Sequence, residues 1–156
     1  MANINLDNYD KEILRLLQMD SSISNIDLSK KIGLAPSSCL LRTKNLKENN
    51  IITQSTVVID EKKLGYEITA FANVEISPHN RETNARFIKE ISLLPQVVEC
   101  YTISGNGAFL LKIIAKTMGD YRDFVIDKIM SIPFVSNVES TLVMAVEKKS
   151  NSIPLE

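Results

Sequence analysis

Near residue 50 the spacing of apolar side chains changes period, and nothing else in the chain restricts the fold as much. Upstream, Tyr9, Ile13, Leu16 and Leu17 recur at i, i+4, i+7 and i+8 behind Asp7. Asp7 is suited to cap a helix N-terminus, so the pattern predicts a first helix over about 7–19. Ser24-Asn25-Ile26-Asp27 opens a second segment in which Leu28 and Ile32 share a face. Gly33 ends it where a left-handed residue is wanted, giving a short helix over about 25–32. Pro36 has no amide to leave unsatisfied and its φ is already helical, so it suits the first turn of a third helix, and Ser37 to Glu48 contains no breaker. Two short helices joined by a Gly-containing turn make a helix-turn-helix.

Downstream the period becomes two. Ile51 to Ile59 reads as a connecting strand, closed by the polar turn Asp60 to Gly65. Ile68, Ala70, Ala72, Val74 and Ile76 alternate with polar or bulky neighbours, as a half-buried strand requires. A helix over about 81–94 follows, then strands over about 97–103 and 108–116. The Asn106-Gly107 pair between those strands favours a tight hairpin turn. A helix over about 119–131 and a strand over about 138–147 complete the set. The order is βαββαβ, and helix ends of the form x-Pro-x-Val occur twice, at Leu94 to Val97 and Ile132 to Val135. Such a unit closes as a ferredoxin-like antiparallel sheet with both helices on one face. The expected class is therefore α+β. A winged-helix-like helix-turn-helix domain occupies 1–50, a connecting strand and linker 51–65, and a ferredoxin-like domain 66–156. The open sheet face, carrying Phe71 and Tyr101, is expected to pack on a second subunit.

On the third helix, a projection at 100° per residue puts Cys39, Leu40, Thr43 and Leu46 inward. Ser38, Arg42 and Asn45 fall opposite, with Ser37, Lys44 and Leu41 on the near flank. Arg grips guanine and Asn grips adenine through paired hydrogen bonds, while Ser and Lys suit phosphates or base edges. Leu41, apolar on a polar face, suits a thymine methyl or a subunit contact. Between Leu28 and Lys47 stand Lys30, Lys31, Arg42, Lys44 and Lys47 and no acid, although the whole chain carries a net charge of -1. The alternative is an amphipathic helix whose charges are merely solvated. The average charge thus hides a basic stretch that fits double-stranded DNA.

Composition excludes other chemistry. A single His, at position 79 in a polar stretch, builds neither a His-rich metal site nor a triad, so no catalysis, metal or cofactor is expected. Cys39 and Cys100 are too far apart in sequence to suggest a zinc site and read as small buried apolar residues. No apolar run is long enough for a membrane span and no signal-peptide pattern opens the chain, so a cytoplasmic protein is expected.

These residues also carry a resemblance. Leu6-Asp7-x-x-Asp10-x-x-Ile13-Leu14, the run Ser24 to Pro36, Cys39-Leu40-x-Arg42 and Ile51-Ile52 resemble the DNA-binding domain of the Lrp/AsnC, or feast/famine, transcription regulators. Leu64-Gly65-Tyr66, Ser104-Gly105 before Leu110-Leu111-Lys112, and Ser140-Thr141-Leu142-Val143 are similar to that family's effector and assembly domain. The resemblance implies homodimers that assemble further and an amino-acid effector held at contacts between dimers. It implicates Ser104, Gly105, Asn106, Gly107, Ala108 and Thr141 in that pocket. Many members carry Gly-Asp-x-Asp in the hairpin turn, whereas this chain has Gly105-Asn106-Gly107-Ala108 and so lacks both carboxylates. An effector ammonium would lose charge-assisted hydrogen bonds there, which are about twice as strong as neutral ones. Two further readings stay open: an architectural DNA-binding protein with no effector, and a metabolite-binding module of the ACT type.

Overall fold

A computed structural model describes residues 5–104 and 109–155. The chain forms two compact units, residues 1–58 with 148–156 and residues 59–147. The first holds three helices, α1 (Asn8–Met19), α2 (Asn25–Ile32) and α3 (Pro36–Glu48). Ile13, Leu14, Leu28, Cys39 and Leu46 are its buried centre, with Leu17, Ile23, Ile52 and Leu155 packed around them. Ser24 caps α2 by accepting from the Asp27 amide at 3.1 Å, and Gly33 ends it at φ 76°. Asn50 takes a left-handed φ of 55° after α3, and the Ile51 amide donates back to the Leu46 carbonyl at 2.9 Å. Asn fills that position because its short polar side chain tolerates the conformation.

The second unit is a four-stranded antiparallel sheet in the order β2-β3-β1-β4, built from β1 (Ile68–Ile76), β2 (Val97–Thr102), β3 (Phe109–Ala115) and β4 (Val135–Leu142). Two helices join the strands, α4 (Arg81–Ser92) and α5 (Met118–Phe124). The expected βαββαβ order and ferredoxin-like architecture are present. Alternation along β1 and β3 buries Ala70, Ala72, Val74, Phe109, Leu111 and Ile113 on one face, against Phe87 and Ile91 of α4 and Tyr121 and Phe124 of α5. Phe87 and Phe109 rings meet at 4.5 Å between centroids. The Tyr121 hydroxyl donates to the Ser140 Oγ at 2.6 Å, tying α5 to β4. Among the described residues no helix is long and apolar enough to cross a membrane.

Several expectations need correction. Residues 53–59 run outside any ladder: the segment has β-branched residues but, among the described residues, no neighbouring strand to take its hydrogen bonds, and Val57 and Val58 stand exposed. The last strand starts at Val135 and ends at Leu142, because its register against β1 runs out at Ala70, with one more bond from the Val143 amide to Thr69. Met144 and Val146 lie beyond it, exposed. The α5 helix widens into a π turn over Val125–Ile129, seen in the Met130 amide reaching the Val125 carbonyl at 2.8 Å. Cys100 is exposed, since β2 is an edge strand. Residues 148–155 pack with the helices, a return that a ferredoxin-like domain over 66–156 does not anticipate.

Candidate nucleic-acid interface

The turn between α2 and α3 is held by groups close in sequence. Gly33 reverses the chain, Pro36 starts α3, and Ala35 gives no side-chain cap. Asn25, which sequence reasoning passed over as part of a cap, donates from Nδ2 to the Pro36 carbonyl at 2.8 Å and so fixes the start of α3 on α2. The Ser29 hydroxyl, buried, is satisfied by the Ile26 carbonyl at 2.8 Å.

Cys39 and Leu46 are the buried residues of α3. Leu40, expected inward, is 58% exposed. Removing it from the inward set rotates the buried direction of the helix by roughly 20°. The centre of the exposed ridge is then Ser37, Leu41 and Lys44, with Ser38 and Asn45 on one flank, and all five are exposed. Lys30, Lys31 and Lys47 are exposed as well, and Lys44 lies 3.5 Å from Glu48 one turn on, a loose solvent-exposed pair.

The same rotation carries Arg42 toward α1. Its Nη1 donates to Asp7 Oδ2 at 2.7 Å and to Asp10 Oδ1 at 2.8 Å, and its Cζ sits 5.4 Å from the Tyr9 ring centroid. Asp7 and Asp10 form the capping box of α1, with the Asp10 amide donating to Asp7 Oδ1 at 2.9 Å and the Asp7 amide to Asp10 Oδ2 at 3.3 Å. Each carboxylate thus gives one oxygen to the box and the other to Arg42. The guanidinium expected to present its fork to a base turns Nη1 inward and joins α3 to the start of α1. The missed signal was Asp7 and Asp10 three apart at a helix start, opposite a lone Arg on a helix that packs nearby. A groove of about 540 Å³ runs between Asn5 and Leu6 on one side and Ser38, Leu41 and Asn45 on the other, with Arg42 lining it.

Asp7 titrates below its ordinary 3.8, held there first by the Asp10 amide and then by Arg42. A lowered carboxyl contributes stability above its unfolded pKa and loses it as pH falls through the folded value. Unfolding midpoints should therefore be insensitive to this group at neutral pH. They should fall below about pH 4, and Asp7→Asn should flatten that acid limb. A limb equally steep in the Asn variant would show that the capping network does not set it.

Of the residues expected to hold an effector, Ser104 follows β2 and Thr141 lies on β4, both exposed. Gly105, Asn106, Gly107 and Ala108 lie outside the described residues. Strands β2 and β4 are the two opposite edges of the sheet. Three strand spacings, about 14 Å, separate them. One chain therefore does not bring Ser104 and Thr141 together.

Comparison with known proteins agrees with both units. Residues 6–53 match the family model for a winged helix-turn-helix DNA-binding domain, and residues 69–153 that for the Lrp/AsnC ligand binding domain. The transcriptional regulator AzlB of Bacillus subtilis is 54% identical over 153 residues, 98% of each chain. Among solved structures, the regulator NMB0573 of Neisseria meningitidis in complex with L-Met superposes with a TM-score of 0.92 at 28% identity, covering 96% of this chain and 97% of that one. An AsnC family regulator from Agrobacterium tumefaciens gives 0.89 at 31%, covering 96% and 97%.

Proposed function

Since the chain belongs to the Lrp/AsnC family of DNA-binding transcriptional regulators, we propose that α3 enters the major groove with Ser38 and Asn45 at base edges and Ser37 and Lys44 at phosphates. The observation that carries this reading is the exposed ridge of α3, polar except for Leu41, beside exposed Lys30, Lys31 and Lys47. Arg42 supports the ridge from behind through Asp7 and Asp10. The protein works in the cytoplasm as a homodimer or a larger assembly of dimers. The open sheet face, with Phe71, Leu110 and Ile114 half-buried and Tyr101 exposed, is the surface on which a second copy packs.

The effector is an amino acid, by analogy with the L-Met complex of the Neisseria regulator. The separation of Ser104 and Thr141 on opposite sheet edges favours a pocket completed between copies, with the turn Gly105 to Ala108 of one and Thr141 of another. Ligand and assembly are then linked, and the effector acts by its different affinity for two assembly states, worth about 1–3 kcal/mol in DNA binding. The missing turn carboxylates favour the second reading, a DNA-binding protein of the same fold with no effector.

Light scattering and duplex binding, each with and without every one of the twenty amino acids, test the proposal together. The expected result is salt-dependent DNA binding and at least one amino acid that shifts both mass and affinity. DNA binding with no response to any amino acid selects the effector-free reading, and no binding even at low salt overturns the assignment of α3.

A further inference from the structure

The C-terminal segment ends on the helical unit. Asn151, Ile153 and Leu155 form one wall of an open groove of about 810 Å³ whose other walls include Leu14, Leu17, Gln18, Ile23, Leu40 and Ile52. Pro154 biases the residue before it toward extended backbone, and in an extended residue the N–H and C=O point to the same side. Gln18 answers both. Its Oε1 accepts from the Ile153 amide at 2.6 Å and its Nε2 donates to the Ile153 carbonyl at 3.2 Å, so one side-chain amide imitates a neighbouring strand. Leu155, half-buried, packs on the apolar cluster of the three helices. The Ser152 amide donates to Ser150 Oγ at 3.2 Å, shaping the approach.

We infer that the face of the helical unit formed by Gln18 and the apolar cluster around Leu14 is a docking site whose occupant is the chain's own C-terminal segment. The chain leaves the helical unit at residue 58 and returns to it at 148, five residues after Val143 leaves β4. The two units therefore share two covalent connections, and the second carries a dockable peptide. Gln18 and Leu155 hold it near the surface, with Gln18 exposed, so the segment docks reversibly instead of forming a permanent part of the core. Docking orders α1 and the residues after α3, and the strand bearing Thr141 leads directly into the tether. The inference rests on the helical unit's own packing and not on the assignment of bases or effector.

Amide hydrogen exchange on the full chain tests it, beside trypsin cleavage at Lys148 and Lys149. The Ile153 amide should exchange at least about tenfold more slowly than in an unfolded peptide. Gln18→Glu, which turns a carboxylate toward the Ile153 carbonyl, and Leu155→Asp should each remove that protection. Both should speed cleavage and raise exchange at the Ile51 and Ile52 amides severalfold, while Leu155→Met should keep the unmodified pattern. An unprotected Ile153 amide in the unmodified chain overturns the docking. A protected one whose loss leaves Ile51 and Ile52 unchanged overturns the ordering role. Neither readout involves DNA, so a failure of the DNA assignment shows separately.

Discussion

Replacing Asn45 with Ala should weaken binding to a selected high-affinity duplex by about 1–3 kcal/mol, roughly 5- to 150-fold, while leaving affinity for random duplex unchanged. The side chain stands exposed on the flank of the α3 ridge, one turn before the helix end, and its loss removes a paired donor and acceptor without opening a cavity. Folding should be unaffected, since a surface substitution away from caps and cores changes stability by about 0.5 kcal/mol or less. Lys44→Ala provides the contrast. A phosphate contact carries no sequence information, so that variant should weaken selected and random duplexes alike and reduce the magnitude of the salt slope by about 0.9. Duplex binding across a range of salt concentrations measures both at once. An Asn45→Ala loss shared equally by the two duplexes would remove Asn45 from the base-reading set.

Where local rules govern, the fold was legible from the residues. Asp7 and Ser24 cap the helices they were expected to cap, Gly33 turns the chain with a left-handed φ, and Pro36 opens α3. Alternation along Ile68 to Ile76 and Phe109 to Ala115 decides which side of the sheet faces α4 and α5. Local rules stop deciding where the outcome depends on a neighbour. Ile51 to Ile59 has the composition of a strand, yet a strand needs a neighbouring strand for its amides: Ile51 and Ile52 bond back to Leu46, and among the described residues no strand pairs with 53–59. Met144 and Val146 keep the alternation of β4 after β1 has stopped offering hydrogen bonds. The return of Leu155 to the helices has no local signal at all, because a single leucine after a proline is compatible with many partners.

Within the site, one residue misled the rest. Leu40 looks like a core residue because it is apolar and adjacent to Cys39, but it stands exposed on the wall of a groove that the C-terminal segment borders. Counting it inward turned the helix enough to send Arg42 outward, although the side chain of Arg42 is only 32% exposed and faces two carboxylates. The five basic residues between Leu28 and Lys47 therefore overstate the charge offered to DNA. Arg42 is matched by direct bonds to Asp7 and Asp10, which leaves the four lysines of that stretch as its basic surface.

That reassignment makes Arg42→Ala the most informative single change in the helical unit. A base-reading arginine would lose affinity at one base pair and leave the fold intact. Arg42 as placed should do the reverse, because its removal leaves the Asp7 and Asp10 carboxylates facing each other across the capping box and takes the cation from the Tyr9 ring. Like charges held close without a cation disfavour each other, and the start of α1 should fray. The melting temperature should fall by roughly 3–8 °C, and DNA affinity should fall about equally on selected and random duplexes because the ridge of α3 is less well fixed. The salt slope should stay close to that of the unmodified chain, since no phosphate contact is lost. Asp10→Asn in the Arg42→Ala background should recover part of the stability by relieving the repulsion, a rescue that a base-contacting role does not predict. Thermal unfolding of the two variants, read beside duplex binding, separates the roles. An unchanged melting temperature with affinity lost at one base position would return Arg42 to the reading surface.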